Sequence, residues 1–392
     1  MSLQEKITDI LVSAVDNLEC AGVNVLVHRH NEEVLYTQAG FADIASRRHV
    51  QRDSIFRLFS QSKPVTAAAA MILIDRHIIH PSDPVEKYIP SFAKPQVISA
   101  DGTLTPALRS IRIMDLLGMT SGVCYPDGDA AGQGAAEVTN ENHKLIREGG
   151  GMTTMEFISR LGEKPLAFQP GSQWRYGYSA DVLGAVVEAA SGKSFGEFLQ
   201  EEIFYPLGMK DTAFWVPPEK QHRFVTAYVT NSEALTPWED LNLCMGVYDR
   251  PPAFESGGAG LVSTIEDYSA FAQMLLNEGE YNGHRILSPA AVRYFTSPQL
   301  TPAQLPTLWD SLAGYSYGKL MKVCTDPGQV IGMSIKGQYG WGGWLGTDFF
   351  NIPSEQMSIL LMQNVTGTIT NERVKFMVVD AVLSALSLGQ IK

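Results

Sequence analysis

Phe56-Arg57-Leu58-Phe59-Ser60-Gln61-Ser62-Lys63-Pro64-Val65, running on through Thr66-Ala67-Ala68-Ala69-Ala70-Met71-Ile72-Leu73-Ile74-Asp75, is the stretch on which the fold turns. A proline just inside a run of strong helix formers marks a helix that begins near Lys63. Ser60 then stands at or just before the helix start, with its hydroxyl near the positive end of the dipole. Side chains three residues apart share a helix face, so the Lys63 amine can approach the Ser60 hydroxyl within hydrogen-bonding distance. A free serine hydroxyl is a poor nucleophile near neutral pH, and a lysine of ordinary pKa, about 10.4, is protonated there. The pair therefore needs a site that desolvates the amine or supplies a second base.

Competing nucleophile patterns fail on context. S-x-x-K recurs at Ser91/Lys94 and Ser316/Lys319. Ser91 lies between Pro90 and Pro95, where no helix can put serine and lysine on one face, and Ser316 alternates with aromatics as a strand does. G-x-S-x-G occurs at Gly192-Lys193-Ser194-Phe195-Gly196, but helix-like DVLGAVVEAAS precedes it instead of a strand. Gly192 is better explained as a helix C-cap, with Ser194 and Glu197 forming the capping box of the next helix.

Outward from this core, the 392 residues suggest two or three structural units, and 45% hydrophobic with 18% charged residues is ordinary globular composition. Lys and Arg number 30 against 42 Asp and Glu, a formal net charge of -12, which repels phosphate backbones and anionic lipid. Neither nucleic acid nor membrane is an expected partner. Cys20, Cys124, Cys244 and Cys324 lie far apart with no metal-ligand spacing, so reduced thiols and no metal or cofactor are expected. The opening MSLQEKITDILVSAVDNL mixes charges among its apolar residues and reads as an amphipathic helix, not a secretory leader. Val65 to Ile74 is too short a run to span a bilayer. A cytoplasmic enzyme is the expectation, with a removed signal peptide as the alternative.

GVNVLVHRH and EVLYTQAGFA read as a hairpin turning at Asn31 and Glu32, with His28 and His30 on one face of the first strand and no third ligand to make them a metal site. Residues 100 to 290 alternate helical patterns with Gly- and Pro-rich connections. GYSYGKLMKV, YGWGGWLGTDFFNI and MSILLMQNV look like strands, and NERVKFMVVDAVLSAL closes the chain as a helix. These patterns suggest an α/β (α+β) fold: one sheet completed by both termini, over about 1–80 and 290–392, with a mostly helical unit at 81–289 inserted.

The 56–75 segment resembles the nucleophile segment of the superfamily that unites serine β-lactamases, penicillin-binding proteins and family VIII carboxylesterases. The likeness continues in order through IRIMDLLGMTSGV, PGSQWRYGYSADVLGAVVEAASGKSF, FESGGAGLVSTIEDYSAFAQMLLNEGEYNGHRIL and YGWGGWLGTDFFNIPSEQMSILLMQN. It implies a β-lactamase/transpeptidase-like fold with an antiparallel sheet. It also implies acyl transfer in which Ser60 attacks, Lys63 and Tyr176 move the proton, and the backbone N–H groups of Ser60 and Trp344 bind the oxyanion. Neutral lysine and tyrosinate both remain open as the base.

Two departures bear on the substrate. The β-lactamase and penicillin-binding members carry Asn or Ser two residues after the second-motif Tyr or Ser, where this chain reads Tyr176-Gly177-Tyr178. No K-[ST]-G exists, and its strand position reads Trp341-Gly342-Gly343, the version associated with the esterase branch. An aromatic wall replaces a cation that would pair with a substrate carboxylate, although nearby Arg175 could take that role. Trp341, Gly342, Gly343 and Tyr178 are accordingly expected to bind substrate, the glycines by letting backbone approach it closely. A small-molecule ester, short in its acyl chain, is the expected substrate. The alternatives are a β-lactamase or D-amino-acid peptidase, a transesterase that passes the acyl group to an alcohol, and an acyl-binding sensor that does not turn over.

Overall fold

The computed structural model describes residues 1–230, 233–366 and 369–391. Helix α1 (Leu3–Asp16) is fixed at its start by a capping box, in which Ser2 Oγ accepts from the Glu5 N–H and the Glu5 carboxylate from the Ser2 N–H. Its buried stripe is Ile7, Leu11 and Ala14. Strands β1 (Gly22–Arg29) and β2 (Glu32–Asp43) form the expected hairpin. The turn falls one residue earlier than Asn31–Glu32, on His30 and Asn31, at φ 52° and 65°. Two positive φ values in a two-residue loop match the twist of the flanking strands. His30 thus leaves the strand and shares no face with His28, whose Nδ1 lies 3.2 Å from Ser269 Oγ.

Both ends of the chain build one antiparallel sheet. To β1, β2 and β3 (Arg48–His49) the C-terminal part adds β4 (Tyr315–Tyr317), β5 (Lys322–Cys324), β6 (Tyr339–Gly342), β7 (Asp348–Ile352) and β8 (Met357–Gln363). Their order is β4-β5-β6-β7-β8-β1-β2-β3, and the seam between the termini pairs Val23 with Gln363 through to Arg29 with Met357. Residues 314–323 do not form one strand. The chain reverses between Tyr317 and Lys322, with Gly318 N–H donating to the Met321 carbonyl at 2.7 Å and Leu320 at φ 58°.

Side-chain alternation divides the sheet into two faces. One carries Val23, Val25, Val27, Phe350, Ile359 and Leu361, which pack on α1 and on the closing helix α6 (Ile369–Ser387) through Val378 and Val382. The other carries Leu26, Phe349, Leu360 and Trp341 and faces the helical body. At the heart of that body lies α2 (Ser62–Asp75), buried from Ser62 to Leu73. A helix that is apolar all round belongs in a core, and Lys63 is carried inside with it. Further helices in the intervening region include α3 (Ala130–Arg147), α4 (Ser179–Ser191) and α5 (Ile265–Leu276). Helix α4 ends at Gly192 in the left-handed conformation, and Ser194 and Glu197 cap the next helix reciprocally. The G-x-S-x-G letters are thus a helix junction. The four cysteines are buried and free, and among the described residues no helix is long and apolar enough to cross a membrane.

Candidate active site

Ser60 sits in a single 3-10 turn, Phe59–Gln61, immediately before α2. Phe59 takes φ 44°, a left-handed backbone that a bulky residue adopts only under constraint from its surroundings. The constraint is visible on both sides. Leu58 N–H donates to the Leu261 carbonyl at 2.9 Å, and the Leu58 carbonyl lies so close to Gly343 that a Cβ there would come within 2.1 Å of it.

Lys63 Nζ lies 3.1 Å from Ser60 Oγ, 3.0 Å from Tyr125 Oη and 2.7 Å from the Gly258 carbonyl. Burial pulls its pKa down to about 7, with the Asp181 carboxylate pulling the other way. A lysine poised near neutrality can be unprotonated in water at physiological pH and still return a proton. Tyr125 and Asp181 are the residues that sequence reasoning missed. Tyr125 opens the YPDGDAAGQGAAE connection, and nothing in its local pattern marks it. Asp181 is fully inside α4, where Oδ1 accepts from Ser256 Oγ at 2.5 Å and from Gly258 N–H at 3.0 Å. It thereby positions the carbonyl that holds Lys63. Gly258 must lack a side chain because a Cβ would come within 2.4 Å of the Asp181 carboxylate.

Tyr176 Oη accepts from the Trp341 indole N–H at 3.0 Å, and the Lys63 amine stands 4.5 Å from the centre of its ring. Burial raises the Tyr176 phenol above its ordinary value, and hydrogen bonding with Ser60 and Trp341 offsets only part of the rise. The phenol therefore stays protonated where the lysine is half titrated.

Tyr178, expected on the substrate wall, is turned away from it. The side chain is buried against Tyr125 and Phe157, and its hydroxyl is 2.7 Å from Thr139 Oγ1 on α3. The short hop over Gly177, whose backbone presses on the Val123 carbonyl, sends the two tyrosines to different places.

Trp341, Gly342, Gly343 and Trp344 all line a cavity of about 710 Å³ with Ser60 and Tyr176. The glycines serve the protein's own packing: a Cβ at 343 would strike the Leu58 carbonyl, and one at 342 would come within 2.7 Å of Asp348 Oδ2. After β6 the chain turns with Gly343 N–H on the Thr347 carbonyl at 2.7 Å and Gly346 N–H on Gly343 at 3.0 Å. Among the described residues no acceptor takes the N–H of Trp344 in this turn, while its indole packs edge-on against Phe59 and Trp238 at 5.1 and 5.2 Å. Arg175 is spent elsewhere, in ion pairs with Asp127 at 2.9 Å and Asp129 at 2.6 Å. Among the described residues no cluster of His, Cys, Asp and Glu is arranged to hold a metal.

The chain is similar to known proteins over most of its length. The chain is 31% identical to Protein Rv1367c of Mycobacterium tuberculosis over 87% of its own length and 85% of the relative's. It is 28% identical to Esterase EstB of Burkholderia gladioli, over 93% of this chain and 91% of that one. Among solved structures, EstCE1, described as a hydrolase with promiscuous acyltransferase activity, superposes with a TM-score of 0.83 at 26% identity, covering 97% of this chain and 98% of that chain. The Beta-lactamase family model matches residues 7–384, so the chain belongs to the β-lactamase family of serine hydrolases.

Proposed function

We propose that this enzyme cleaves short-chain carboxylic esters through an acyl-enzyme on Ser60. The observation that carries the reading is the Lys63 amine, buried, 3.1 Å from Ser60 Oγ and drawn down to about neutral. Neutral Lys63 takes the Ser60 proton as Oγ bonds to the acyl carbon. The oxyanion that forms faces the N–H groups of Ser60 and Trp344. As the ester C–O bond breaks, the proton on Lys63 passes to the leaving alkoxide by way of the Tyr176 hydroxyl. Water then attacks the acyl-enzyme and the same groups act in reverse. Tyrosinate is disfavoured as the base because burial raises Tyr176 while it lowers Lys63.

The ester preference rests on what surrounds Ser60. Trp341 and Trp309 wall the cavity beside Tyr176, where a cation would be needed to grip the carboxylate of a β-lactam or a D-Ala-D-Ala terminus. Acetyl to hexanoyl p-nitrophenyl esters run beside a cephalosporin test this directly. Efficient ester cleavage with labelling of the Ser60 peptide by a phosphonate supports the reading, and a label on Ser194 would remove it.

Acyl transfer to an alcohol is a second reading, favoured by the cavity itself: about 710 Å³ is far more than the one water that hydrolysis needs. Adding a primary alcohol should then divert product from acid to ester at unchanged rate of p-nitrophenol release when acylation limits.

A further inference from the structure

The cavity that begins at Ser60 ends at a second set of polar groups with no part in the chemistry above. By register, Trp341 faces the helical body, whereas Gly342 pairs with Asp348, and Gly340 with both Lys322 and Phe350, on the face covered by α6. The cavity is lined by residues of both faces. On the far side stand Lys322, Asp348, Lys375 and Glu372.

Within this group the charges are unequally matched. Lys375 Nζ lies 3.2 Å from Asp348 and 2.5 Å from Glu372, so one ammonium holds both carboxylates. Lys322 is 8% exposed and has no ion-pair or hydrogen-bond partner among the described residues. The rings of Tyr315 and Phe350 flank its amine, at 5.1 and 5.3 Å from their centres, and Asp348, Glu372 and Lys375 act on it through their charge without bonding it. A buried cation is ordinarily paired, and one left open toward a ligand cavity is a donor waiting for an anion. The reversal of the chain at 318–321 is what brings it there, as the first residue of β5.

We propose that Lys322 binds the far carboxylate of a dicarboxylic half-ester, an inference that rests on the esterase reading of Ser60 and names its substrate class. Lys322 pairs with Gly340, three residues along the strand from the Gly343 that packs on the nucleophile turn, a span of roughly 10 Å at about 3.3 Å per residue. The carboxylate recognised is therefore one at the end of an acyl chain of intermediate length. It is not one beside the reacting carbonyl, as in a β-lactam.

The test compares mono-p-nitrophenyl adipate with its methyl-capped, neutral counterpart of the same length. Replacing Lys322 by Met should lower kcat/KM for the free acid about tenfold, through KM, and leave the capped ester within about twofold. Lys322→Arg should recover most of the loss. Equal losses on both esters would show a structural role, and an unchanged preference in Lys322→Met would also overturn the proposal. Adipate itself, titrated by calorimetry, separates this inference from the reading beneath it. Binding to the wild type that is lost in Lys322→Met upholds the anion site even if neither ester is cleaved, and no binding to the wild type overturns it.

Discussion

Lys63 and Lys322 are both buried, both drawn below the ordinary lysine pKa by loss of water, and both set within one turn or one strand of the cavity wall, yet they have opposite surroundings. Lys63 has three oxygen partners within 3.1 Å, all on groups the core holds still. Lys322 has two aromatic rings, an opening, and charged neighbours in Asp348, Glu372 and Lys375 that do not bond it. A buried amine's role is thus legible from its partners. Fixed acceptors on every side suit a group that must hand a proton back and forth along one path, and an unoccupied side suits a group that must receive something.

Activity should be most sensitive at the group Lys63 serves. Ser60→Ala should lower kcat for ester hydrolysis by about 10⁴-fold or more, the scale on which a nucleophile and its partners act as a unit. Ser91→Ala, Ser194→Ala and Ser316→Ala should keep most of the activity. Next, Lys63→Met and Tyr176→Phe should each lower kcat by about 10²-fold or more. A fully active Tyr176→Phe would take the phenol out of proton transfer and leave Lys63 to protonate the leaving group alone.

The pH profile sharpens the same contrast. Only unprotonated Lys63 accepts the serine proton, and its pKa lies at about 7. The logarithm of kcat/KM should thus fall by one unit per pH unit well below 7 and level off above it. A profile that keeps rising through pH 10 would instead assign the base to a phenol. On specificity, nitrocefin should be turned over with kcat/KM roughly 10²-fold below that for p-nitrophenyl butyrate. Its carboxylate lies next to the reacting carbonyl, against Trp341, with Arg175 tied to Asp127 and Asp129 and Lys322 on the other side of the sheet.

What the sequence revealed, and what it hid, follows from range. Ser60 and Lys63 are three residues apart on one helix, so their meeting is set by local geometry and could be read directly. So could the capping box at Ser194 and the sheet seam, where both ends of the chain carry short, mostly apolar runs of strand length. Tyr125, Asp181 and Lys322 reach their places only through tertiary packing. No periodicity tells that Asp181 would point at the 256–258 loop, or that the chain would reverse at 318–321 and deliver Lys322 to the cavity. Tyr178 was misplaced for the same reason: two residues along an irregular loop do not define a face as they do on a strand. Gly342 and Gly343 were expected to admit a ligand, and their missing side chains admit the Asp348 carboxylate and the Leu58 carbonyl.

The smallest effects are on stability, and they set Lys322 against its neighbour Lys375. Lys375 bonds two carboxylates, one of them the buried Asp348, so Lys375→Met leaves a charge inside without its partner and should cost about 3 kcal/mol. Lys322 offers no such bond to lose. Its pKa is lowered in the folded protein, chiefly by burial, with Asp348 opposing. The unfolded chain then binds the proton more tightly, so a charged Lys322 works against folding. That penalty is full below the folded pKa and fades as pH rises toward the ordinary lysine value. Lys322→Met should therefore melt at the same temperature as the wild type or higher, with any gain largest at neutral pH and gone by about pH 10. A residue kept at a cost to stability needs another reason to be there, which binding supplies. If Lys322→Met melts well below the wild type at neutral pH, Lys322 is part of the ion network after all, and the contrast between the two lysines collapses.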